Sequence, residues 1–238
     1  MDYFMDVVLV LDTSRAMTDI FDGVKKRVIS FFPDLMLELS AFHKSISDVR
    51  IKVITFRNLN IDKEEALQIS PYFNLKRSNI DNNEDYDTFV DYINSLNACG
   101  GNINHNSSLE ALALAILNDW SQQGDKRMHY IVLFTNSGAC KLEKSHIPTT
   151  YYPSYVPYSF EGLSKMWLSP KKTQWIDGKW TKIKLGQAAK RLMLFAPQLY
   201  PWPNIFESWD QVVYNPSKAG EGLDDVSYYD IINAIVGS

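Results

Sequence analysis

Apolar and polar residues follow each other along the chain in a pattern that predicts strands separated by helices. Continuous apolar runs at residues 6–11 and 130–135 are typical of strands that are buried on both faces. Shorter apolar or alternating runs predict four more strands, at residues 50–57, 66–73, 191–196 and 211–214. The connection between the strands at 50–57 and 66–73 is too short for a parallel crossover, so this pair is expected to be antiparallel.

Helical spacing of apolar residues predicts the elements between the strands. The predicted helices span residues 18–40, 88–96, 107–120 and 225–236. Thr18 is the expected N-cap of the first helix, and Pro33 is expected to kink or interrupt it. Strands that alternate with helices predict one domain over residues 1–238, a doubly wound, three-layer (Rossmann-like) α/β fold. Its sheet is expected to be mostly parallel and six-stranded, with one antiparallel edge strand.

The segment at about residues 139–189 is too long for an ordinary crossover and is rich in tyrosine and tryptophan. Aromatic residues are enriched at protein interfaces, so one interpretation is a surface that docks a partner. Its candidate contacts are Tyr151, Tyr155 and Trp167. The other interpretation is an insertion whose aromatic residues pack onto the sheet. The sequence leaves both open.

A carboxylate and two hydroxyls follow the first strand directly, in Asp12-Thr13-Ser14. Ligands of open α/β sheets bind outside the carboxyl ends of the strands, so this cluster is expected on the functional face. Hard oxygen groups at such a place suit a small divalent cation such as Mg²⁺.

These residues resemble the opening of the metal-ion-dependent adhesion site (MIDAS) of von Willebrand factor A (vWA) domains, Asp-x-Ser-x-Ser. Ala16 here stands in place of the second serine. The later stretches similar to the family's are the loop from Gly100 to Asn104 and Asn136 after the fourth strand, where the family has an aspartate. The resemblance implies a degenerate site for Mg²⁺, with Ca²⁺ or Mn²⁺ as substitutes. Its implied ligands are Asp12, Ser14, Asn102 and Asn136.

The resemblance also implies a function. A vWA module binds an acidic residue of a partner protein at the cation or its remnant, and here Arg15 and Asn104 are the candidate contacts beside it. Motif similarity suggests a bacterial intracellular type, found in stress-response or phage-defence complexes. The implied partner is a kinase, a phosphatase or an AAA-type ATPase. The chain is thus expected to be a binding module, not an enzyme.

Composition narrows the classes of partner. The formal net charge of -4 disfavours a general nucleic-acid binder, which needs a basic surface. No apolar stretch is long enough to span a membrane, and the first residues lack the basic region of a secretory signal. Two cysteines give no disulfide framework. The expected location is the cytoplasm.

Two other chemistries stay open as alternatives. A metal-dependent hydrolase could combine Asp12 with Asp19, Asp22 or Glu110. A zinc site could use two cysteines and two histidines, although their spacing matches no tight zinc pattern. These residues are Cys99, His105, Cys140 and His146.

Overall fold

The computed structural model describes residues 3–41, 46–75, 84–142, 150–169 and 173–217. Most strands of this part of the chain belong to one central sheet. In chain order the strands are β1 (Tyr3–Asp12), β2 (Ile46–Phe56), β3 (Leu67–Ile69), β4 (Phe73–Leu75), β5 (His105–Asn106), β6 (Lys126–Phe134), β7 (Gly138–Ala139), β8 (Thr173–Ile176), β9 (Lys179–Lys182), β10 (Lys190–Pro197) and β11 (Val212–Ser217).

The central sheet has seven strands, and its five long strands are all parallel. Its order is β11-β10-β6-β1-β2-β3, with the short β4 also paired to β2. Both β3 and β4 run antiparallel to β2. Asp12 lies opposite Phe56 of β2, and Leu11 lies opposite Phe134 of β6. The segments that follow β1 and β6 therefore leave the sheet side by side, and the predicted fold class is confirmed.

The predicted third strand, at residues 66–73, consists of two short segments on the same edge of the sheet. Ser70, Pro71 and Tyr72 separate β3 from β4. Proline has no N–H to give to a ladder. The hydroxyl of Ser70 instead accepts the N–H of Val53 at 2.9 Å, which keeps this part of β2 hydrogen-bonded across the interruption.

Helices cover both faces of the sheet, as the pattern predicts. They are α1 (Phe21–Ala41), α2 (Leu59–Asp62), α3 (Glu84–Ser95), α4 (Ser108–Ile116), α5 (Phe160–Leu168) and α6 (Trp202–Ser208), with 3-10 turns at Arg15–Met17 and Lys63–Glu65. One apolar core lies between the sheet and α1 with α3, and the other contains α4, α5 and α6. No helix among the described residues is long and apolar enough to cross a membrane.

Three predicted helix boundaries need correction or fall outside the described residues. Thr18 is not the N-cap of α1, because it ends the preceding 3-10 turn and its N–H and hydroxyl return to the carbonyl of Arg15. The helix predicted at residues 107–120 ends at Ile116. The helix predicted at residues 225–236 lies outside the described residues.

Helix α1 continues through Pro33, contrary to the predicted interruption. A proline inside a helix leaves the carbonyl four residues earlier without its usual donor. Here that carbonyl belongs to Ile29, and it accepts the hydroxyl of Tyr86 from α3 at 3.1 Å. A side chain of the neighbouring helix thus replaces the hydrogen bond that Pro33 cannot make.

The segment at residues 139–189 contributes both buried and exposed aromatic residues. Tyr152 and Trp167 are buried in the core that includes α4, and Trp167 stacks on Trp209 with ring centroids 5.6 Å apart. The antiparallel hairpin β8–β9 instead exposes Trp175 and Trp180. Part of the segment thus packs onto the sheet, and part offers aromatic surface to solvent.

Replacing Tyr86 with phenylalanine tests the role of its hydroxyl in α1. We expect Tyr86→Phe to lower the free energy of unfolding by about 1–2 kcal/mol, since the Ile29 carbonyl loses its donor. In a Pro33→Ala background, the backbone N–H gained at position 33 can donate to the Ile29 carbonyl. Tyr86→Phe should then lower the free energy of unfolding by clearly less. Urea unfolding of the four proteins measures both costs, and equal costs in the two backgrounds would contradict the pairing.

Candidate functional site

The carboxylate of Asp12 lies completely buried at the end of β1 and accepts hydrogen bonds from two neighbouring segments. One oxygen accepts the backbone N–H of Ser14 at 2.9 Å. The other accepts the hydroxyls of Thr135 at 2.6 Å and Ser137 at 3.0 Å, both just after β6. Burial raises the pKa of Asp12, and these hydrogen bonds act in the opposite direction.

Asn106 joins a third segment to this network, and sequence reasoning missed it. Its amide nitrogen lies 2.8 Å from the Ser14 hydroxyl oxygen and 3.1 Å from that of Ser137. Its amide oxygen accepts the N–H of Asn102 at 2.8 Å. The signal available in the sequence was its place just before the helix that begins near Ser107. The buried polar network therefore consists of Asp12, Ser14, Asn106, Thr135 and Ser137.

The Gly100-Gly101 pair brings the third segment against Ser14. Both glycines have a positive φ, of 64° and 62°. A Cβ on Gly101 would lie 2.4 Å from the Cβ of Ser14, so a side chain there would push the loop away. The carbonyl of Gly100 also accepts the N–H of Arg15 at 3.0 Å. Glycine is thus required here by backbone conformation and by close approach.

The predicted ligands are only partly brought together. Asp12 and Ser14 belong to the buried network, but Asn102 is exposed and its side-chain oxygen accepts the N–H of Asn104 at 2.8 Å. Asn104 is exposed as well. Asn136 donates its amide to the carbonyl of Ala16 at 3.2 Å, and its buried oxygen has no hydrogen-bond partner.

This arrangement leaves few oxygen atoms free for a divalent cation. Both carboxylate oxygens of Asp12 are occupied by donors, and the amide of Asn106 turns its N–H groups, not its oxygen, toward Ser14. Within the described ranges, no group of three or more His, Cys, Asp or Glu side chains could hold a metal ion. The oxygen of Asn136 is the one orphaned polar atom among the predicted ligands in this part of the chain. The network fits a hydrogen-bonded remnant of a cation site better than an oxygen cage.

The carboxylates proposed for a hydrolase do not join Asp12. Asp19 and Asp22 are exposed, and Asp22 pairs with Lys25 at 3.3 Å. Glu110 is fully buried on α4, and neither of its carboxylate oxygens has a hydrogen-bond partner. No hydrogen bond or ion pair that the structure describes links any of these carboxylates to Asp12, so nothing in this geometry favours two-carboxylate chemistry.

The zinc alternative gains no support from the described residues. Cys99 and His105 are exposed, whereas Cys140 is partly buried with its sulfur 3.5 Å from the amide nitrogen of Asn58. His146 lies outside the described residues. The other three side chains form no metal-binding cluster in the described part of the chain.

Exposed apolar residues surround the buried network at the carboxyl edge of the sheet. Ile103, Leu199 and Tyr200 are exposed by 68%, 45% and 44%. Two backbone hydrogen bonds tie their loops together, from Gly138 N–H to the Asn104 carbonyl at 2.8 Å and from Ala139 N–H to the Tyr200 carbonyl at 3.1 Å. We call this surface the rim, formed by Arg15, Ile103, Asn104, Leu199 and Tyr200.

The aromatic residues predicted to bind a partner do not belong to the rim. Trp167 is completely buried, and its indole N–H donates to the carbonyl of Asp210 at 2.8 Å, so it presents no surface. Tyr151 packs at the edge of the core. Tyr155 is half exposed but lines a cleft with Lys52. The cleft's strand residues Lys52 and Ile54 lie opposite Val8 and Val10 of β1, so the cleft begins roughly two residues, or about 7 Å, along the sheet from Asp12.

Comparison with known proteins identifies the fold. No family model matches the chain, and neither does any curated protein. Among solved structures, the chain is similar to the open conformation of the pilus adhesin SpaC from Lactobacillus rhamnosus GG. The TM-score is 0.50 at 12% identity, over 98% of this chain and 29% of SpaC.

A second similarity is to proximal thread matrix protein 1 from the mussel byssus. The TM-score is 0.48 at 11% identity, over 98% of this chain and 46% of that protein. A structure of the same protein with a zinc-occupied MIDAS motif gives a TM-score of 0.47 at 11% identity, with the same coverage. The chain spans less than half the length of each of these proteins. Likeness to SpaC and the sheet topology together show a vWA-like fold.

The buried carboxyl of Glu110 gives a test that depends on pH. Burial raises the pKa of Glu110 from 4.5 to about 8, so the folded state holds this proton more tightly than the unfolded chain does. This carboxyl therefore lowers the free energy of unfolding progressively as pH rises from about 4.5 to about 8. We expect the stability of Glu110→Gln relative to the parent to increase across that window, by up to about 5 kcal/mol, and then to level off.

Urea unfolding at a series of pH values from about 4 to 9 measures this difference. Glu207→Gln is the matched control, because it makes the same exchange at an exposed position on α6. A constant difference between Glu110→Gln and the parent at every pH would contradict the account.

Proposed function

We propose that this chain is a protein-binding module of the vWA type whose partner docks on the rim. The observation that carries the proposal is that exposed apolar side chains surround a buried polar network that fixes the loops beneath them. Its support comes from this chain's own residues, because the similarity to the adhesin SpaC at 12% identity extends to the fold alone. The exposed side chains of Ile103 and Tyr200 add little to the stability of the fold, so we assign them to binding.

The composition of the rim suits a protein partner. Protein interfaces combine aromatic and aliphatic residues with arginine, and a few such residues supply most of the binding energy. Tyr200, Ile103 and Leu199 provide the apolar contacts, and Arg15 provides the charge. Their loops are already hydrogen-bonded to one another, so the partner meets a surface that needs little ordering on binding.

In this proposal the guanidinium of Arg15, instead of a metal cation, binds an acidic residue of the partner. It is exposed at the edge of the network, and its side chain forms no ion pair with the residues that the structure describes. A guanidinium can bind a carboxylate through two parallel hydrogen bonds, without a metal. Because Asp12 is buried and hydrogen-bonded, its charge competes little for Arg15. The partner's acidic residue is therefore bound by the remnant of the site, with Asn104 beside it.

The biological setting that we propose follows from the resemblance in sequence motifs. It is a cytoplasmic complex of a bacterial stress-response or phage-defence system, with a kinase, a phosphatase or an AAA-type ATPase as the partner. The rim requires of that partner an acidic residue with apolar neighbours on a surface that it exposes.

Recovery of the partner from lysate tests the proposal. The tagged protein is compared with Arg15→Glu and Tyr200→Ala, with and without EDTA. We expect each substitution to reduce recovery of the same partner at least about tenfold, since both remove contacts at the centre of the surface. EDTA should have no effect, because no cation takes part.

Leu37→Ala is the matched control, because Leu37 is 70% exposed near the end of α1, roughly 24 Å along the helix from Phe21, where α1 begins close to Arg15. It should recover the partner as the parent does. Equal recovery by Arg15→Glu, Tyr200→Ala and the parent would contradict docking at the rim. Loss of the partner in EDTA would instead point to a metal in the contact.

A further inference from the structure

A groove separates the β8–β9 hairpin from the antiparallel edge of the central sheet. Its volume is about 400 Å³. Strand residues of the sheet edge, the end of α4 and the hairpin all contribute to it. Its floor is apolar and consists of Ile54, Leu114 and Leu117, which are buried or partly buried. None of the rim residues lines it, and the proposed function makes no use of it.

Large exposed side chains form the walls of this groove. Trp180 is 70% exposed, Tyr155 is 50% exposed, and Ile69 of the edge strand β3 is 48% exposed. The ring of Trp180 packs edge to face against Trp175, with centroids 5.4 Å apart. Burying such residues would stabilise the fold, so leaving them in solvent beside an apolar floor points to an occupant.

The hairpin that carries Trp180 is fixed in place by polar contacts. Asp177 at its turn accepts the N–H groups of Tyr158 at 2.6 Å and Ser159 at 3.0 Å. The ammonium of Lys179 donates to the carbonyl of Val156 at 2.7 Å, and that of Lys165 to the carbonyl of Trp175 at 3.1 Å. The exposed aromatic walls are thus held in position before anything binds, which lowers the entropic cost of binding.

The polar lining of the groove is predominantly positive, although the whole chain carries a net charge of -4. Three lysines line it, Lys52, Lys179 and Lys182, against one carboxylate, Asp119. Asp119 already pairs with Lys184. Neither Lys52 nor Lys182 forms an ion pair with a residue that the structure describes, and the ammonium of Lys52 lies 4.0 Å from the ring centroid of Tyr72. Lys182 therefore has no acidic partner within the described chain, whereas the charges of Asp119 and Asp6 act on Lys52 without forming an ion pair with it.

We propose that this groove binds an acidic segment of a partner protein. One large apolar side chain of the segment is seated over the floor between Tyr155 and Trp180, and its flanking carboxylates meet Lys52 and Lys182. Charge complementarity selects an acidic occupant, and the apolar floor selects a peptide over a nucleic acid, whose phosphates would need a broader basic surface. The groove and the rim give the module two separate contact surfaces.

Selection from a library of random dodecapeptides displayed on phage tests the specificity. We expect peptides recovered on the parent protein to share a large apolar residue flanked by aspartate or glutamate. Selection on Trp180→Ala should not recover that consensus. A basic or neutral consensus, no consensus at all, or the same acidic consensus on Trp180→Ala would each overturn the proposal.

Fluorescence anisotropy of the most enriched peptide, labelled with fluorescein, then tests the charge. Lys182→Glu should weaken its binding at least about tenfold, because it replaces an attractive contact with a repulsive one. Lys26→Glu is the matched control: it changes the net charge equally, but Lys26 is exposed on α1 on the other face of the sheet, and binding should be unchanged. If both variants weakened binding equally, the effect would come from the net charge of the protein and not from a contact in the groove. That result would overturn the proposal.

Two further measurements separate other occupants from the proposed one. Arg15→Glu should bind the peptide as the parent does, so failure at the rim and failure at the groove are distinguishable. Light scattering during size-exclusion chromatography reports self-association. A dimer that forms in the parent and is lost in Lys182→Glu would assign the groove to a second copy of this chain and overturn the proposal.

Discussion

The buried charge of Asp12 is the constraint around which the carboxyl edge of the sheet is organised. A carboxylate removed from water costs several kcal/mol unless donors replace its hydration. Here the donors are the N–H of Ser14 and the hydroxyls of Thr135 and Ser137, and Asn106 ties Ser14 to Ser137. The segments after β1 and β6 and the loop before α4 are therefore held together by one network. The hydrogen bonds of this buried network thereby also fix the shape of the exposed rim.

The two departures from the family's motif, Ala16 and Asn136, contact each other. The amide of Asn136 donates to the carbonyl of Ala16, so a neutral hydrogen bond lies where the family pattern has a hydroxyl and an acid. Without a second carboxylate, the site offers a cation little charge. With hydroxyl and amide donors turned inward, it satisfies Asp12 by itself. Arg15 lies exposed beside this hydrogen-bonded network.

The sequence was sufficient for the fold class and for placing Asp12 and Ser14 at the carboxyl end of a buried strand, because continuous apolar runs identify such strands. It was insufficient for Asn106. Asn102, Asn104 and Asn106 carry the same side chain at alternate positions, and only the backbone path through Gly100 and Gly101 decides which one points inward. The distinction between buried Trp167 and exposed Trp180 likewise depends on tertiary packing, which aromatic composition does not encode.

Calorimetric titration of Mg²⁺, Ca²⁺ and Mn²⁺ into the protein tests most directly whether Asp12 is satisfied by hydrogen bonds alone. The network predicts no saturable heat for the parent. It also predicts that restoring the family's oxygens, in the double variant Ala16→Ser with Asn136→Asp, creates cation binding that Asp12→Ala then abolishes. Saturable heat in the parent that disappears in Asp12→Ala would contradict the account, because the carboxylate would then be serving a metal ion.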